Sequence, residues 1–86
     1  MKSKPTQCQK HNAAFGRVLA ELRRNRQLSQ EELGFEANFD RTFISLLERG
    51  RRSPTLDTIF SLCRALDISF SQLARLIEAK LDEVNA

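Results

Sequence analysis

The sequence predicts an all-α domain of five helices, the last of them extended. Three observations lead there. Apolar residues recur at spacings of three and four along nearly the whole chain, and no segment alternates at the two-residue period of a strand. Two Ser-x-x-Glu/Gln capping boxes, Ser29–Glu32 and Ser69–Gln72, mark helix starts, and Asn12, Asp40 and Thr55 are further N-cap types placed before apolar runs. With 86 residues, 41% of them hydrophobic, the chain can build one modest core without disulfides or metals.

Taken in order, residues 1–11 read as a flexible basic arm, polar and aperiodic, with Lys2, Lys4 and Lys10. Asn12 is the expected cap of a first helix over 13–26, with Phe15, Val18, Leu19 and Leu22 inward and the arginines outward. Gln27 and Leu28 form a short connection. Helix two starts at Gln30 behind its capping box, with Leu28 placed to staple onto Leu33, and stops near Asn38, a residue that tolerates the left-handed conformation. Asp40 caps helix three, Arg41 to about Glu48, with Ile44 and Leu47 inward and Gly50 beyond its end. Arg51–Pro54 is a loop. Thr55 caps helix four, with Leu56, Ile59, Leu62, Cys63 and Leu66 inward. Helix five, about 70–84, carries Phe70, Leu73, Leu76, Ile77, Leu81 and Val84, a stripe longer than one small domain needs, so part of it is expected to meet a second copy of the chain.

The net charge is only +3, but the charges are segregated. Lysines and arginines concentrate in 1–11, in 12–26 (Arg17, Arg23, Arg24, Arg26) and in 41–52 (Arg41, Arg49, Arg51, Arg52), whereas 27–40 holds Glu31, Glu32, Glu36 and Asp40 without a base. Such segregation fits a phosphate-facing surface better than it fits general solubility. Other chemistry is poorly provided for. The single His11 lies in the expected arm, Cys8 and Cys63 form no metal-binding or redox spacing, and no glycine-rich phosphate loop occurs. An enzyme, a cofactor, a metal and a small-molecule ligand are therefore not expected. There is no apolar export segment and no run near the roughly 18 apolar residues that span a membrane, which makes a cytoplasmic protein the expectation.

Residues 29–50 meet the requirements of a helix-turn-helix: two short helices, a small residue (Gly34) where they approach, a sharp turn at Asn38, and a lock of Leu33, Ala37, Phe39, Ile44 and Leu47. Over about residues 13–75 the chain resembles the lambda-repressor/Cro-like, or Xre, family of regulators. The resemblance is tightest in Leu28–Leu33, Ile44-Ser45, Glu48-Arg49-Gly50 and Ser53–Leu56.

The resemblance implies a bacterial or phage regulator that binds pseudo-palindromic double-stranded operator DNA as a homodimer, with helix three in the major groove. Carried over position by position, it makes Arg41 and Thr42 base-reading residues, the arginine able to pair with guanine O6 and N7. Phe43 and Ser45 fall on the same side, Phe43 equally placed to cover the core edge. Gln30 would touch a phosphate while bracing helix three, and Arg17, Arg49, Arg51 and Arg52 would hold the backbone. In size and layout the chain is most like restriction-modification controllers, with phage repressors and antitoxins as other relatives of this form. A helix-turn-helix module of the antitoxin or anti-regulator type, which binds a protein partner and not DNA, is the alternative. The chain departs from the family pattern at Gly34, where alanine is usual, at Asn38, which replaces the turn glycine, and at Phe35 and Asp40. Phe35 is either a core variant or an exposed partner contact, and Asp40, a cap close to phosphates or bases, either selects against some contacts or accepts a bond from cytosine N4.

Overall fold

The computed structural model describes residues 7–85, which form five helices: α1 (Gln7–Asn25), α2 (Gln30–Ala37), α3 (Arg41–Glu48), α4 (Leu56–Leu66) and α5 (Phe70–Asn85). No strand occurs among the described residues. The first helix departs from expectation, because it begins at Gln7 and Asn12 lies inside it. The Asn12 side chain is instead a tether, its Nδ2 donating to Ser53 Oγ at 2.7 Å and tying α1 to the loop after α3. Lys10 and His11, expected in a flexible arm, therefore ride on α1. Lys2 and Lys4 lie outside the described residues, as do the side chains of Cys8 and Val84.

Helix α1 packs against α3 and α5, and α2 packs against α3 and α4. Phe15, Val18 and Leu19 of α1 meet Leu33, Ile44, Leu47, Leu62, Leu66 and Leu73 in one continuous core, within which Leu19, Leu33, Ile44, Leu47 and Leu62 are sealed from solvent. Cys63 is part of it, and burial pushes its thiol above the usual range, as befits a core residue that stays unreactive. Lys80 of α5 reaches Glu21 of α1 at 2.8 Å and closes the outer edge of the bundle. Two expectations change. Leu56 is 64% exposed at the first position of α4 and does not enter the core, and Phe35 is 86% exposed on α2, which rules out the core variant.

Gly16 sets the distance between α1 and α3. A Cβ there would lie 2.5 Å from the carbonyl oxygens of both Leu47 and Glu48, so the two backbones touch at the end of α3. Gly34 does the same at the turn, where a Cβ would come within 2.5 Å of the Phe39 carbonyl oxygen. The propensity it gives up within α2 allows that closer packing.

The first four helices end alike. Gln27, Asn38, Gly50 and Asp67 adopt φ of 58°, 70°, 72° and 54°. In each case the amide of the following residue donates back to a carbonyl five residues earlier: Leu28 to Arg23, Phe39 to Gly34, Arg51 to Leu46 and Ile68 to Cys63. Leu28, Phe39 and Ile68 are thereby folded back onto the core. Gln27 is the least suited of the four, because a long side chain in this conformation costs about 1–2 kcal/mol. Gln27→Gly is expected to raise stability by roughly 0.5–1 kcal/mol once the extra freedom of the unfolded chain is subtracted. Urea unfolding checks this, and an unchanged or lower midpoint would assign the glutamine side chain a stabilising contact of its own.

Candidate nucleic-acid interface

The capping box at the head of α2 forms as expected. The Glu32 amide donates to Ser29 Oγ at 3.0 Å, and the Ser29 amide donates to Glu32 Oε1 at 2.8 Å. That second bond, with the serine hydroxyl behind it, holds the Glu32 carboxyl below its ordinary range. The box therefore supports α2 at neutral pH, and the support is lost as pH falls through the lowered value. After the turn at Asn38, Asp40 starts α3 by accepting from the Thr42 amide at 2.9 Å. Its carboxylate is used as a cap.

Helix α3 buries Ile44 and Leu47, which leaves Arg41 and Thr42 exposed at its first turn and Ser45 half-exposed one turn on. The Arg41 guanidinium has no partner among the described residues. Phe43 is half-buried: its ring centroid lies 5.1 Å from that of Phe39 and it packs on the core. Covering the core edge is thus its evident structural task. Arg49 is exposed at the end of α3, with Nε 3.4 Å from the Ser45 carbonyl, and Arg51 and Arg52 are exposed in the loop that Asn12 tethers.

The other end of α3 is clamped. Glu48 accepts from Arg23 Nε at 2.7 Å and Arg23 Nη2 at 3.1 Å, and from Gln30 Nε2 at 3.0 Å, while Arg23 Nη1 donates to the Leu28 carbonyl at 2.9 Å. The Arg23 and Glu48 side chains are only 11% and 6% exposed. The carboxylate raises the Arg23 pKa, chiefly by hydrogen bonding and secondarily by charge, against the opposing effect of burial. One ion pair and one amide thus fix α1, α2 and α3 to each other at the base of the reading helix. Sequence reasoning misses this, because it places Arg23 with the outward arginines and takes Glu48 only as the end of helix three. Arg26 is also withdrawn, its Nη1 donating to the Leu66 carbonyl at the end of α4 at 2.9 Å. Gln30 is the bracing residue that the resemblance implied.

Three arginines without an ion-pair partner among the described residues share a surface. Arg17 and Arg24 of α1 and Arg49 of α3 line a cleft of about 340 Å³ together with Gln30 and Ser45, and Ala20 and Glu21 complete its α1 wall. Among the described residues no three acidic, cysteine or histidine side chains gather as a metal site, and no helix is long and apolar enough to cross a membrane.

Residues 19–73, more than half of the chain, match the helix-turn-helix family. The chain belongs to that family. Among its relatives is a HTH-type transcriptional regulator, y4dJ of Sinorhizobium fredii, 43% identical over 58 residues, which are 67% of this chain and 75% of that protein. The control protein C.BamHI of Bacillus amyloliquefaciens is 40% identical over 55 residues, 63% of this chain and 68% of that one. The crystal structure of the restriction-modification controller protein C.AhdI from Aeromonas hydrophila superposes with a TM-score of 0.70 at 42% identity, covering 72% of this chain and 94% of the controller. The helix-turn-helix and the all-α architecture thus agree with the sequence reading.

Proposed function

We propose that this chain is a sequence-specific, DNA-binding regulator of transcription that works as a homodimer on an inverted-repeat operator, in the manner of a restriction-modification controller. The observation that carries this reading is the state of α3. Its first turn offers Arg41, without a partner among the described residues, and Thr42 to solvent, while its inner face is buried and its far end is clamped by Arg23, Glu48 and Gln30. A helix held this rigidly with its polar N-terminal residues free is what major-groove reading requires. Arg49, Arg51 and Arg52 flank it as backbone contacts, and Gln30 keeps a second amide hydrogen for a phosphate. As a bacterial or phage regulator that acts on DNA, it belongs in the cytoplasm, on the nucleoid when bound.

Dimerisation is supported by exposed apolar side chains on α4 and α5. Leu56, Phe60, Phe70 and Leu76 are 64%, 56%, 39% and 41% exposed, and the Phe60 and Phe70 rings stack at 5.2 Å. The interface expected along α5 is thereby extended to α4 and moved toward the start of α5, since Leu81 is half-buried.

Selection of bound sequences from random duplexes tests the reading. It is expected to return an inverted repeat with half-sites about 10 bp apart or a multiple of that. Repeating it with Arg41→Ala should relax preference at one base pair of each half-site and weaken binding by roughly 1–3 kcal/mol. Failure to enrich any sequence would remove the reading, and a uniform loss across sequences would move Arg41 to the backbone contacts.

A further inference from the structure

The cleft between α1 and α3 holds more positive charge than the fold can use. Its two acids are already committed: Glu21 to Lys80 at 2.8 Å, and Glu48 to Arg23 and Gln30. Arg17 and Arg24 are exposed and have no ion-pair partner among the described residues, and Arg49 makes only the 3.4 Å contact to a carbonyl. Charged groups on a folded surface are ordinarily dispersed or paired, whereas here three guanidiniums line one concavity and neither of its acids pairs with them.

The geometry of the row adds a direction. Arg17 and Arg24 are seven residues apart, close to two helical turns, so they stand on one side of α1 about 10 Å apart along its axis. Between them lies Ala20, 8% exposed, whose small side chain leaves the floor of the cleft open to close approach. The opposite wall is the C-terminal half of α3, through Ser45 and Arg49, next to the turn that presents Arg41 and Thr42. An anion seated here would lie alongside the base-reading face.

We propose that this cleft seats the sugar-phosphate backbone of one DNA strand flanking the read groove, and that Arg24 is one of its phosphate ligands. The inference rests on the DNA-binding reading above and deepens it. Arg24 has no place among the contacts implied by the family resemblance. It lies near the C-terminal end of α1, and only the fold brings it to the same cleft as Gln30 and Arg49. The cleft makes Arg17 and Arg24 a pair that tracks along a strand, with Gln30 and Arg49 closing on it from the other side. Such contacts fix register on the duplex and carry no base information.

The test is a salt titration of binding to the selected operator and to a scrambled duplex of equal length, for wild type, Arg24→Gln and Arg24→Lys. Arg24→Gln should weaken both duplexes by the same factor, on the order of tenfold for one charge-assisted hydrogen bond. It should also make the slope of log K against log salt shallower by about 0.9. Arg24→Lys should restore the slope. Equal affinity and slope for Arg24→Gln and wild type would overturn the proposal, as would a loss confined to the operator. Inorganic phosphate is the probe for a free-anion site: saturable submillimolar shifts of arginine Nε–H signals in the DNA-free protein would reassign the cleft and overturn the backbone assignment. Binding of neither duplex by wild type would overturn the DNA-binding reading and the proposal together, an outcome distinct from a silent Arg24→Gln in a protein that binds.

Discussion

Glu48→Gln is expected to cost about 3–5 kcal/mol of folding stability, the usual penalty for removing one partner of a buried ion pair. The cost comes from what remains behind. Arg23 keeps its charge in a site where its side chain is 11% exposed, with Nε and Nη2 both aimed at the former carboxylate. The new amide retains one oxygen acceptor, but its NH₂ would face a donor, because all three groups around Glu48 donate to it. A domain of this size has a total stability near the lower end of 5–15 kcal/mol, so the variant should retain about 2 kcal/mol at most and be partly unfolded at growth temperature, with a melting point lowered by roughly 12 °C or more. The double variant Arg23→Met/Glu48→Leu separates charge burial from packing, since apolar groups of similar size should recover most of the loss. Urea unfolding of the three proteins gives the result, and a loss below about 1 kcal/mol for Glu48→Gln would mean that water enters the site and the clamp contributes little.

The clamp also marks what can be read from the sequence. Local chemistry was legible wherever donor and acceptor lie within a few residues: both capping boxes, the caps Asp40 and Thr55, and the left-handed turn at Asn38 form as the residue types demand. The core stripe of α1, α2 and α3 was legible for the same reason, since a period of 3.6 fixes one face. The Arg23–Glu48 pair spans 25 residues, and nothing in either neighbourhood distinguishes these side chains from solvated charges. Gly16 carries no local sign either, because its meaning is the backbone of another helix. Asn12 misled in the opposite way: it is a good cap type, but Gln7–His11 contain too few apolar residues to reveal a helix by periodicity. Leu56 satisfied the period and still lies outside the core, 64% exposed at the first position of α4, whereas Thr58 two residues on is buried. At the interface, the exposed positions of α3 followed from its buried ones. The sorting of arginines into free (Arg17, Arg24, Arg41) and committed (Arg23, Arg26) required the fold.

The second large effect is expected from Phe60→Glu, which should leave the monomer folded and abolish tight operator binding. In the isolated chain Phe60 is 56% exposed and its ring stacks on Phe70, so the substitution removes about 0.5–1.5 kcal/mol of aromatic pairing besides the apolar area that the ring buries. In a symmetric dimer through this patch the consequence is different in kind. An isologous contact places the same surface on both copies, so each new carboxylate enters apolar surroundings near its symmetry mate, and burying either without a partner costs several kcal/mol. Loss of the dimer removes the advantage of the second half-site, which becomes a separate bimolecular event. Affinity for the inverted repeat should then fall by on the order of 10²–10⁴, whereas affinity for one half-site should be unchanged. Sedimentation and anisotropy on the same samples decide it. A protein that remains dimeric with full operator affinity would move the interface off Leu56, Phe60, Phe70 and Leu76, and a protein that loses half-site binding as well would show that the patch supports α3 and not a second copy.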